Sequence, residues 1–202
     1  MNSDEFKTIA ALTQAEYRVK GSQFIGRAKP ATSREEAEHF IGEIRKLHHD
    51  ATHNCFAYQI GVGQQSIMRQ SDDGEPSGTA GKPILQAITS RELTNIVLMV
   101  TRYFGGIKLG TGGLIRAYGT TASATMEKAE IKLVYLTSLV EIEYPYEMSG
   151  VVSRTIERFH AEIKTSSYDA NVHLQVAIRQ SLTETLISHL TEESSGKIII
   201  HK

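Results

Sequence analysis

The sequence predicts an α+β protein in two parts, and three observations carry that prediction. Ile96–Val100 is apolar on both faces, as expected of a central strand covered on both sides. Segments with helical spacing of apolar residues lie on either side of it. After about Leu133 the pattern runs strand, helix, strand, strand, helix, strand, the βαββαβ order of a ferredoxin-like domain. The two parts read as residues 1–132 and 133–202.

Each element has a local reason. Glu16 to Ala28 is extended in pattern. Ser33-Arg34-Glu35-Glu36 is a capping box, in which Ser33 caps the amide of Glu36 and the Glu36 side chain reaches back. The helix it opens carries Ala37, Phe40, Ile41, Ile44 and Leu47 on one stripe. From Asn54 to Ile60 the chain alternates, with Phe56, Tyr58 and Ile60 on one face and Cys55, Ala57 and Gln59 on the other. Gln64 to Gln70 returns as a partner strand across Gly61-Val62-Gly63. A short helix is predicted from Pro83, since proline suits a first helical position. A longer helix follows Gly113, with Leu114, Tyr118, Thr121, Thr125 and Ala129 on one side. In the second part, Val140, Ile142 and Tyr144 mark a strand, and Met148 to Phe159 an amphipathic helix. Strands over Glu162–Tyr168 and Val172–Ile178, a helix through Leu182, Leu186 and Leu190, and a strand at Ile198–Ile200 complete it.

Composition narrows the function classes. A length of 202 residues suffices to bury a substantial core. The net charge of −1 gives no global polyanion signature, so any basic patch is local. The first part holds 16 Lys and Arg against 14 Asp and Glu, or +2, and the second 6 against 9, or −3. A polyanion would therefore meet the first part more readily. A single cysteine, Cys55, forms no internal disulfide and fits a reducing compartment. The acidic start Met1-Asn2-Ser3-Asp4-Glu5 is not a signal peptide, and no apolar run approaches the ~20 residues of a bilayer span. The expectation is a cytoplasmic protein without a membrane partner.

Three stretches carry chemistry. Thr101 to Leu114 places five glycines, Lys108 and Arg102 between a strand and a helix, with Arg116 just beyond. Gly105-x-x-x-x-Gly110 has P-loop spacing, but Thr111 stands where the lysine belongs, and Gly110, Gly112 and Gly113 are not a dinucleotide fingerprint. What remains is a loop of amides ahead of a helix with cations beside it, suited to an anion. Tight helix–strand packing is the competing reason for the same glycines.

Ser71 to Lys82 is the second stretch. Pro76 and Gly78 fit the second and fourth positions of a type I turn. Asp72, Asp73 and Glu75 offer oxygen ligands of the kind Mg²⁺ takes, or simply solvate the loop. Ser77 and Thr79 either touch phosphate or cap the next helix, and Lys82 is a candidate anion contact. Third, His48 to Cys55 gathers three histidines and the thiol, but no second Cys/His cluster completes a zinc site. With Ala57 as its small neighbour, Cys55 reads as a packed core thiol rather than a nucleophile.

Asp73 to Pro83, then Val100 to Gly110 and Gly113 to Tyr118, resemble the signature of the IMPACT family in its bacterial, YigZ-type form. Lys20 to Ile25 and His53 to Tyr58 are similar to that family as well. The resemblance implies an N-terminal ribosomal-protein-like βαβ domain, of the kind seen in domain IV of translational GTPases, followed by a ferredoxin-like domain. It also implies a connection to translation. Eukaryotic members regulate it by competing for the activator of an initiation-factor kinase, through a domain this sequence lacks. Bacterial members have been proposed to bind nucleic acid or the ribosome.

The expected function is thus a non-enzymatic factor that binds RNA or the ribosome and influences translation. Lys82, Arg102, Lys108, Gly110, Gly112, Gly113 and Arg116 are the expected phosphate contacts, with Tyr103 or Phe104 stacking on bases. No catalytic residue, metal site or cofactor is assigned. The alternative is a Mg²⁺-dependent enzyme or binding protein for a phosphorylated small molecule or nucleotide. A protein partner for the acidic second part is a third expectation.

Overall fold

The computed structural model describes residues 4–201. It divides into two compact units, one of residues 6–133 and one of residues 134–201 with Asp4 and Glu5.

The first unit is built on a five-stranded antiparallel sheet. Its strands are β2 (Thr13–Val19), β3 (Ser22–Pro30), β4 (His53–Ile60), β5 (Ile67–Ser71) and β6 (Ile96–Tyr103), in the order β2-β3-β6-β4-β5. The extended stretch from Glu16 to Ala28 is thus a hairpin, turning at Lys20 and Gly21, which both take positive φ. β1 (Glu5–Ile9) pairs separately with β7 (Ile131–Tyr135).

Helices cover both faces of the five-stranded sheet, which is why β6 is apolar on both sides. On one face, α1 (Arg34–Leu47) packs Ala37, Phe40, Ile41 and Ile44 against Phe56, Tyr58, Ile60, Val97 and Met99. On the other, α2 (Gly81–Thr89) and α3 (Gly110–Glu127) pack Ile84, Ile88, Leu114, Tyr118 and Met126 against Phe24, Cys55, Ala57, Leu98 and Val100. The alternation expected along β4 divides its side chains between these two layers. The Ser33 hydroxyl accepts from the Glu36 amide at 3.2 Å, as the capping box requires. The Glu36 carboxylate instead accepts from the Thr32 amide at 2.7 Å, one residue earlier than the motif predicts.

The second unit has the expected βαββαβ order: β8 (Thr137–Tyr144), α4 (Ser149–Arg158), β9 (Glu162–Tyr168), β10 (Val172–Arg179), α5 (Thr183–Glu193) and β11 (Ile199–His201). Its antiparallel sheet runs β11-β8-β10-β9, with the core formed by Val140, Ile142, Val152, Ile156, Leu174, Val176, Leu186 and Leu190. Asp4 joins this unit by accepting from Arg179 at 2.9 and 3.0 Å and from the Ser181 amide at 2.9 Å. These bonds hold its carboxyl well below the usual carboxylate range. Among the described residues no helix is long and apolar enough to cross a membrane.

Candidate functional site

The ends of β3, β4 and β6 bring together the stretches singled out in the sequence. Phe24 and His53 each lie opposite Arg102 across the sheet, and the alternation along the strands turns all three, with Cys55, toward α2 and α3. Arg102 is a buried cation. Its Nη1 donates to Glu75 Oε1 at 2.7 Å, and the side chains of the pair are 6% and 3% exposed. Its Nη2 reaches Ser22 Oγ at 3.5 Å, and its Nε has no partner among the described residues. The guanidinium carbon lies 5.5 Å from the Phe24 ring centroid and 5.4 Å from that of Phe104. Burial therefore takes Arg102 off the surface at which a polyanion would arrive, and its charge is committed to Glu75.

The acidic loop is equally committed. Asp72 accepts from the amides of Gly78, Ala80 and Gly81, each at 2.9 Å, so it caps α2 from nine residues upstream. Burial alone would raise its carboxyl, but the three amide bonds outweigh that and leave it lowered. Asp73 accepts from the Asn54 amide at 2.7 Å and from Arg45 at 2.8 Å. Glu75 takes the Tyr118 hydroxyl at 2.8 Å besides Arg102. Among the described residues no group of three or more His, Cys, Asp or Glu side chains is arranged to hold a metal ion.

Three local expectations change here. The helix begins at Gly81 rather than Pro83, and its N-cap position, Ala80, has no side-chain cap of its own. Thr79 neither caps the helix nor faces outward, because its hydroxyl donates to the Pro76 carbonyl at 2.6 Å. The Thr79 amide also donates to that carbonyl at 3.0 Å, so the turn runs Pro76–Thr79, with Gly78 third at positive φ.

Cys55 is a core thiol. It donates to the Asp72 carbonyl at 3.0 Å, with the Tyr118 hydroxyl 3.4 Å from the sulfur. Burial pushes both the thiol and the Tyr118 phenol well up, so the thiolate a nucleophile needs is not formed at neutral pH. His53 Nδ1 lies 2.8 Å from the Asp73 carbonyl, which only accepts, so Nδ1 carries the proton. Its Nε2 stands 3.9 Å from Glu75 Oε2. On the α1 side of the sheet, Arg27 donates to His48 Nε2, and His48 Nδ1 lies 2.8 Å from the Tyr103 hydroxyl. That hydroxyl donates in turn to Asp50 at 3.0 Å. Tyr103 is thereby tied to His48 and Asp50 on the α1 side of the sheet.

The glycine loop has the opposite character. Gly105 sits where an added Cβ would lie 1.9 Å from the Gly21 carbonyl carbon, so this glycine serves close backbone packing. Beyond it the chain is open. Phe104 and Ile107 are 45% and 56% exposed, and Gly110 opens α3 at φ +72°. No side chain caps α3, and no acidic residue stands in its first turn. Gly112 and Gly113 occupy that turn, and an added Cβ at Gly112 would lie 3.8 Å from Arg116 Nη1, so the guanidinium folds back over it. Lys108 and Arg116 are exposed and make no ion pair among the described residues. Lys82 is likewise exposed, but at the start of α2, so it is not part of the loop. Lys20, unremarked as a contact in the sequence, is exposed in the β2–β3 turn beside Gly105.

This is a two-domain α+β protein whose first domain presents a cationic glycine loop over a buried ion pair. Residues 20–126 match the family model described as the Impact N-terminal domain, and residues 142–197 match a domain of unknown function, DUF1949. The chain belongs to the IMPACT family. It is 37% identical over 186 residues to an IMPACT family member of Haemophilus influenzae, covering 92% of this chain and 90% of that protein. It is 36% identical over 190 residues to the IMPACT family member YvyE of Bacillus subtilis, covering 94% and 87%. A crystal structure described only as that of a hypothetical protein superposes with a TM-score of 0.73 at 30% identity, covering 98% of this chain and 96% of that one.

Proposed function

We propose that this protein is a non-enzymatic factor that binds nucleic acid or the ribosome and acts in the regulation of translation. Residues 104–116 are its contact surface, with Lys82 as an outlying cation. One observation carries the reading: this loop leaves its aromatic ring and its cations exposed, and the first turn of α3 has no side-chain cap. The carboxylates and Arg102 nearby are taken up inside the fold. Free amides and unpaired cations without competing carboxylates suit phosphate oxygens. The link to translation rests on the family.

The test is a binding titration of labelled RNA, and of ribosomes by co-sedimentation, across a range of salt. Binding weakens with salt, and each cation that neutralises a phosphate adds about 0.7 to the log–log slope on a single strand. The double variant Lys108→Ala/Arg116→Ala therefore binds more weakly, with a slope shallower by about 1.4. No salt-sensitive binding to RNA or ribosomes at protein concentrations on the order of 10 micromolar would sink the reading.

A further inference from the structure

We infer that Phe104 is a preorganised stacking platform for one unpaired base, so that the ligand of this loop is single-stranded rather than duplex nucleic acid. The inference rests on the nucleic-acid reading above and makes it specific. Its starting point is how firmly the ring is held. The Phe104 amide donates to Thr52 Oγ1 at 3.0 Å, and the next amide, Gly105, donates to Ser22 Oγ at 3.2 Å. The ring rests on the Arg102 guanidinium, which contacts Phe24 as well and is fixed by Glu75. The stack is thus anchored from the core outward, while Phe104 itself stays 45% exposed.

The fold holds this exposed ring in place rather than burying it. Its surroundings define what would cover it. Residues 101–116 contain no carboxylate. Lys20, Lys108 and Arg116 are the exposed cations of the loop and of the turn beside it. A ligand with both a flat apolar face and a negative charge satisfies both features, and a nucleotide within a strand has that form. A continuous duplex offers the phosphates but hides the base faces in its own stack. Unpaired bases offer both, in RNA and DNA alike.

The chain has no tryptophan, so Phe104→Trp introduces a single indole at the platform. Its emission is expected to be quenched on titration with a single-stranded 12-mer, RNA or DNA, and to stay unchanged with the same sequence as a closed hairpin duplex. Phe104→Ala is expected to lose about 5- to 150-fold in affinity for the single strand while losing little for the duplex. Phe104→Leu, which keeps apolar bulk without the π face, loses most of that amount, and thermal melting confirms that each variant is folded. Equal affinity of the native protein for single strand and duplex, an unquenched indole at saturation, or full affinity in Phe104→Ala would overturn the platform while leaving nucleic-acid binding intact. Absence of binding to every nucleic acid would instead remove the functional reading on which it rests.

Discussion

Two polar loops meet at one end of the same sheet and treat their functional groups in opposite ways. In residues 71–82 the carboxylates turn inward: Asp72 caps α2, Asp73 fastens β4 and α1, and Glu75 neutralises Arg102. In residues 104–116 the cations Lys108 and Arg116 turn outward and make no ion pair among the described residues, while two amides fix Phe104 and Gly105. Both loops were equally conspicuous as sequence. The difference teaches that an unusual composition marks a constraint without saying whether the constraint is internal. Satisfied hydrogen-bonding groups, counted one by one, separate scaffold from surface.

The largest effect expected from breaking this division is at Glu75. Removing it leaves the Arg102 charge buried without a counter-ion, and breaking a buried pair in this way costs about 3–5 kcal/mol. Glu75→Ala is therefore expected to lower the melting temperature by roughly 10 °C. Adding Arg102→Met should restore most of the loss, because the uncompensated charge goes with it. Calorimetry of the single and double variants reads this directly. A single variant that melts within a degree or two of the native protein would mean that the acidic loop is not the scaffold described here.

The secondary structure was largely legible because its signals are local. Two-sided apolarity gave β6, alternation divided β4 between the two helical layers, and βαββαβ order gave the second unit. Phosphate contact by Arg102 was misread because its partner lies 27 residues away, and no spacing rule connects a strand-end arginine with a glutamate in a distant loop. The start of α2 was misplaced for a similar reason: its cap comes from Asp72, not from the adjacent Ser77 or Thr79. Gly105 looked like one more member of an anion cradle, yet it answers to Gly21, 84 residues earlier. Cys55 was readable as core because alternation along β4 sets it on one face with the small residue Ala57.

Gly105→Ala addresses the boundary between the loops, with an intermediate effect. The added methyl would fall 1.9 Å from the Gly21 carbonyl carbon and 2.3 Å from the Ser22 nitrogen, all backbone, so one chain must move. Overpacking of this kind costs about 1–3 kcal/mol. Displacing Gly105 also pulls on its amide bond to Ser22, and with it the backbone of Phe104. Denaturant titration should show the stability loss. Nucleic-acid affinity should fall with it, unlike a substitution confined to the acidic loop.

The smallest effect is at Asp72, and its sign follows from the lowered carboxyl. A carboxylate whose folded pKa lies below its unfolded value contributes stability that is fully present above the unfolded value, near 3.8, and is lost as pH falls through the folded one. Asp72→Asn keeps one acceptor oxygen but loses the charge at the α2 N-terminus, a loss of about 1 kcal/mol at neutral pH. Melting curves of the two proteins should therefore differ at pH 7 and converge only as pH falls through the lowered Asp72 value, where the native carboxyl is protonated too. The same variant tests the division between the loops from its other side. Because every bond that the Asp72 carboxylate accepts is internal to residues 72–81, its loss should leave single-strand affinity within about twofold, the range of a surface change of ±0.5 kcal/mol. A large drop in affinity with little change in stability would place the acidic loop on the binding surface after all.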